Sequence, residues 1–272
     1  MSRWIKIAFF ALLLIASGFF LGTVCKQISQ SYELIMQPSK ELLNLLILFL
    51  LAVAATIITA GLVAILLKPV WVAMIAFALS GLAILVGWRE VTLVSGVLAL
   101  AAIILGLYFA YKVDQEQKER IKFSLDPISR SLGVLSIALV LLACGSIYIG
   151  CAAHIEQEGF SIPESFTEPF IEPMKEQITS QMQPQVRHEA EAELEEQFQG
   201  MLDDFSEKTL QPYEEYIPLA IAGMLFFSLY TVTNLFSFIP LAVLNLIFLL
   251  LSAVGMTKIV RETQEVEKLV ME

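Results

Sequence analysis

Two histidines and a run of glutamates are the residues whose spacing comes nearest to chemistry in this 272-residue chain. His154-x-Glu156-x-Glu158 and His188-Glu189-x-Glu191 set an imidazole beside carboxylates, the types that bind metals. Neither gathers the three or four convergent ligands that a zinc site needs. Glu189, Glu191, Glu193, Glu195 and Glu196 offer oxygens to calcium, but without the alternating ligands and turn glycine of a dedicated loop. Both groups read as a solvated acidic surface. The sequence contains no GxSxG elbow, HExxH, phosphate-binding loop or dinucleotide fingerprint, so it points to no enzyme, no cofactor and no metal. Cys25, Cys144 and Cys151 match neither a zinc spacing nor a CxxC redox motif.

Those carboxylates belong to one segment. Residues 154–216 hold sixteen Asp/Glu against three Lys/Arg, a formal −13 in a chain of net −10, which leaves +3 for everything else. Such acidity argues against a nucleic-acid partner, because phosphate binding needs a basic surface. Outside the segment the chain is apolar. With 57% hydrophobic and only 16% charged residues, against about 25% charged in soluble domains, its solvent is the lipid bilayer. Hydrocarbon about 30 Å thick demands roughly 20 apolar residues per helical crossing, since only internal hydrogen bonds can satisfy the backbone there.

Seven runs meet that demand: residues 4–24, 42–67, 70–88, 91–111, 131–153, 217–238 and 240–257. The first is longer than the roughly 7 to 15 apolar residues of a signal peptide and reads as a span. Lys68-Pro69 stops the second, because the ring removes a donor and clashes with the preceding turn. Trp71 and Trp88 at the ends of the third suit the membrane interface. The expected fold is therefore an all-α integral membrane protein of about seven transmembrane helices, with one acidic helical insert outside the membrane between helices five and six. Its regions are a five-span unit (1–153) with a basic loop at 112–130, the insert (154–216), a transmembrane helical hairpin (217–257) and an amphipathic helical tail (258–272). A Pro at the junction of the last two runs also suits a re-entrant hairpin.

Within the insert, Pro163, Pro169 and Pro173 prevent one long helix at its start, each interior Pro costing about 3 kcal/mol. Beyond Pro184 the apolar residues recur every three or four positions, predicting a helix over about 185–208 whose Leu194, Phe198, Leu202 and Phe205 form one face. That face must pack on something: the bundle, the segment upstream, or a second copy. Gly18-x-x-x-Gly22 in the first span is a spacing that lets two helix backbones approach closely in lipid.

No span carries an Asp, Glu, Lys, Arg or His near its middle, which argues against ion-coupled transport. The polar residues that do fall inside spans, chiefly Asn44, Thr56, Thr59, Ser80, Ser95, Asn234 and Asn245, predict hydrogen bonds between helices. Parity puts the N-terminus and the basic loop on one side, and the insert and tail on the other. Lys/Arg number eight on the first side and six on the second, so the positive-inside rule makes the N-terminus cytoplasmic and the insert and C-terminus extracytoplasmic. Cys25 and Cys151 then end spans at the insert's face, where an oxidising compartment would let them form a disulfide.

Three stretches carry a resemblance: Ile121-Lys122-Phe123-Ser124-Leu125 before a span, Ile162-Pro163-Glu164-Ser165-Phe166 opening the insert, and Lys258-Ile259-Val260-Arg261-Glu262 after the last run. Over residues 112–272 the chain resembles uncharacterised multi-pass membrane proteins of candidate-phyla bacteria. The resemblance implies a bacterial plasma-membrane setting and no activity. The function expected from the residues is that of a non-enzymatic anchor or scaffold, embedded in the lipid bilayer, whose insert docks a protein partner or makes a homo-oligomer. The alternative is a channel or facilitator with an electronegative extracytoplasmic cap. With single cysteine reporters at Ser129 and Glu195 in intact cells, a membrane-impermeant thiol reagent should label Glu195→Cys alone. Labelling at Ser129→Cys alone would invert the topology.

Overall fold

A computed structural model describes residues 3–31, 40–89, 92–119, 125–158 and 211–255, together with Pro173, Gln197, Phe198, Gly200 and Met201. Every regular element among them is helical: α1 (Arg3–Gln30), α2 (Lys40–Leu66), α3 (Val70–Trp88), α4 (Leu93–Lys118), α5 (Asp126–Glu158), a 3-10 turn (Gln211–Tyr216), α6 (Ile217–Phe236) and α7 (Phe238–Ala253). The breaks are local and chemical. Pro69 is the N-cap of α3, directly behind the end of α2. Arg89 closes α3 in the left-handed region at φ 63°, donating its N–H to the Leu85 carbonyl. Thr92 then opens α4 through a reciprocal capping box with Ser95, in which each side chain accepts the other's backbone N–H.

Apolar on every side, these helices gain nothing from hiding from lipid, so shape decides which of them touch. α1 packs most extensively on α3, and small residues bring the two together. A Cβ on Gly18 would meet the Ser80 carbonyl oxygen at 2.7 Å, one on Gly22 would meet the Ile84 backbone at 2.9 and 3.0 Å, and one on Gly87 would meet the Thr23 nitrogen at 3.1 Å. Residues 18 and 22 face 80 and 84, so α1 and α3 run parallel. Cys25 faces Ser146 and Ser29 faces Gly150 four residues further along both helices, which makes α5 parallel to α1 and α3. The starts of α1, α3 and α5 therefore lie at one end of the bundle. α5 is the most enclosed helix, with 72% of its apolar window buried against 28 to 50% for α1 to α4. Leu142, Val140 and Ala143 on it are wholly buried.

Three expectations change. The basic loop expected at 112–130 narrows, because α4 continues to Lys118 and α5 begins at Asp126; Val113 and Asp114 are buried by the bundle, which holds that part of the chain helical. Trp88, expected at a span end facing the interface, is enclosed by the bundle, 0% exposed, where Gly87 lets α3 close on α1. Six stretches are long and apolar enough to cross a membrane, the last two of the seven expected runs counting as one, Pro212–Ala253. α6 and α7 are separated by Ser237 alone, which keeps right-handed helical angles and gives both its N–H and its hydroxyl to the Asn234 carbonyl. Pro240 falls in the first turn of α7, where a missing N–H costs least. α7 has 16 residues, about 24 Å at 1.5 Å per residue, short of the roughly 30 Å of hydrocarbon. α6 lies against α5 and α7 against α2, with little contact between them. The tail expected at 258–272 lies outside the described residues.

Gly22→Leu should force α1 off α3 and lower stability by about 1 to 3 kcal/mol. A thermal melt of the detergent-solubilised protein checks this, and an unchanged midpoint would refute the close approach.

Candidate functional site

Of the residues proposed to form the insert's docking face, Phe198 is half-buried, while Leu194, Leu202 and Phe205 lie outside the described residues, as do His188 and the Glu189 to Glu196 cluster. His154 stands near the end of α5. Among the described residues no group of three or more His, Cys, Asp or Glu could hold a metal ion. Cys25, Cys144 and Cys151 are all buried and free, so no disulfide links Cys25 to Cys151. Cys25 instead faces the Ser146 hydroxyl across α1 and α5.

A concentrated charge site lies elsewhere, at the end where α1, α3 and α5 begin. Asp114, on the last turns of α4, is 3% exposed, the sole buried ionisable acid or base among the described residues apart from the cysteines. Two ammonium groups meet its carboxylate. Lys118, four residues on, donates to Oδ2 at 2.6 Å, and Lys68, from the α2–α3 link, donates to Oδ1. The lysines stay partly in water, with side chains 42% and 71% exposed for Lys68 and Lys118. A carboxylate taken from water loses its hydration, and charge-assisted hydrogen bonds at both oxygens replace it. Asp114 thereby ties the α2–α3 link to α4. Sequence reasoning passed over it as one acid in a basic loop. Its i,i+4 relation to Lys118 was legible, whereas Lys68 stands 46 positions away and only the fold brings it near.

A second polar cluster lies deeper. Ser80 donates across α3 and α1 to the Leu14 carbonyl at 3.1 Å, Ser17 and Thr59 join α1 to α2 at 2.8 Å, and Thr56 donates to Ala52 of its own helix at 2.9 Å. Thr56 and Ser80 border a cavity of about 30 Å³ lined also by Leu14, Phe77, Leu139 and Leu142 among others. The space suits a water; its walls supply hydroxyls and hydrocarbon, but no acid, base or metal ligand. Thr59 and Ser80 thus bond between helices as expected, whereas Thr56 bonds within its own helix. Ser95 serves the α4 cap instead, and Asn44, Asn234 and Asn245 are exposed.

No family model, curated protein or solved structure matches the chain. The architecture alone defines the class: six apolar helices of membrane-crossing length, joined through glycine contacts and hydroxyl bonds, are those of a polytopic helical membrane protein.

Asp114→Asn would leave Lys68 and Lys118 crowded without a counter-charge. Partial exposure of the lysines limits the loss to about 2 kcal/mol. Lys68→Met, which leaves the Lys118 pair, should cost less; equal thermal midpoints for the two variants and the parent would refute the bridging role.

Proposed function

We propose that this protein is a non-enzymatic anchor or scaffold of the plasma membrane, whose acidic insert docks a protein partner or self-associates on the extracytoplasmic side. The observation that carries the reading is the division of charge. Residues 154–216 hold −13, while among the described residues Asp114 is the one buried acidic or basic side chain, and the cavity beside Thr56 and Ser80 is only water-sized. Such an interior supports holding an insert at the membrane rather than conducting a solute. A helix with Leu194, Phe198, Leu202 and Phe205 on one face and glutamates on the other binds by its apolar face. The acidic face selects a cationic partner, speeding encounter more than tightening the complex. A bacterial membrane is the setting of the proteins that residues 112–272 resemble.

The test is cross-linking on intact cells with an impermeant amine- or carboxyl-directed reagent. Phe198→Ala with Leu202→Ala should abolish the cross-linked band of the parent protein, and an unchanged band would overturn the docking face.

A further inference from the structure

The polar residues of the apolar helices fall into two groups. Thr56, Thr59 and Ser80 have acceptors within the bundle. Asn44, Asn234 and Asn245 are exposed, and among the described residues their carboxamides have no hydrogen-bond partner. Asn44 lies in the first turns of α2 and Asn234 in the last turn of α6, beside the Ser237 junction. Asn245 is different: it is the eighth residue of the sixteen in α7. Phe238, Ile239, Leu246, Leu249 and Leu250 are exposed around it, an apolar surround suited to hydrocarbon rather than water. The opposite face, with Pro240, Leu244 and Phe248, is buried, Leu244 lying over Gly61 of α2.

A carboxamide in hydrocarbon has two donors and an acceptor that lipid tails cannot satisfy. We infer that the Asn245 face of α7 is an interface between two copies of this chain in the membrane, with the two Asn245 carboxamides hydrogen-bonded to each other. An amide is self-complementary, its N–H meeting the partner's carbonyl and the reverse, which is the reciprocity a twofold axis provides. Phe238, Ala242, Asn245, Leu249 and Ser252 are all exposed and alternate by four and three residues, the spacing of a helix-packing seam. Ala242 and Ser252 are small enough to let two backbones approach. Room is available too: the Pro212–Ala253 stretch has 11% of its apolar window buried, the least of the six. The insert is a poorer contact between copies, since each brings −13 to the meeting. This interface stands apart from the docking reading of the insert.

The test uses full-length protein, labelled at the N-terminus with donor or acceptor dye and mixed in phosphatidylcholine vesicles. Energy transfer should rise with the protein-to-lipid ratio beyond random proximity. Asn245→Leu should weaken association about tenfold, as loss of interhelical hydrogen bonds does, while Asn245→Gln keeps it and Asn44→Leu leaves it unchanged. Phe198→Ala with Leu202→Ala should also leave it unchanged. Transfer no greater than random in the parent protein would overturn the inference, since lipid or another protein then covers α7. So would parent-like association of Asn245→Leu, or loss of transfer in the Phe198/Leu202 variant alone.

Discussion

Helices in a bilayer have no hydrophobic reason to prefer one another, because lipid tails are as apolar as leucine. The contact that resolves this for the present chain is the parallel approach of α1 to α3, where Gly18, Gly22 and Gly87 remove the side chains that would hold the backbones apart. Much else follows from it. Ser80 comes within reach of the Leu14 carbonyl, Ser17 reaches Thr59 of α2, and Trp88 is enclosed rather than left at the interface. Two spans that are not consecutive in the chain are thus fixed side by side, and α2 closes around them.

Asp114 works by the opposite principle. The glycine contacts gain from close packing of neutral groups, whereas a buried carboxylate gains only when its lost hydration is replaced. Lys68 and Lys118 replace it from two different elements. The bundle is thereby pinned by packing along its length and by charge at one end. That end also carries Lys118 and the close of α4, so one lysine, Lys68, joins the α2–α3 link to a helix far from it in the chain.

The crossings up to α5 were legible because lipid imposes a length and a composition, and Pro69 and Arg89 mark ends through local backbone chemistry. Gly18 and Gly22 were legible as a spacing, though not their partner, since GxxxG says that a helix comes near without saying which one. What sequence could not show were relations that depend on which helices meet: the pairing of Asp114 with Lys68, the burial of Trp88, and the outward turn of Asn245. How the last hydrophobic run divides was not legible for a different reason. Composition registers apolar length, while the junction at Ser237 and the shortness of α7 decide how that length is divided.

The enclosure of α5 has a consequence for biogenesis. α5 touches α1, α2, α4 and α6, three of which precede it in the chain and one of which follows. As synthesis proceeds from the N-terminus, α1 to α4 can settle around the α1–α3 pair while the seat for α5 stands open to lipid. When α5 enters that seat, its far face stays uncovered until the whole insert has been made and α6 has been delivered. A late helix with few contacts of its own is therefore the element that seals the bundle. Any factor that guides membrane assembly would find its substrate in the interval between α5 and α6.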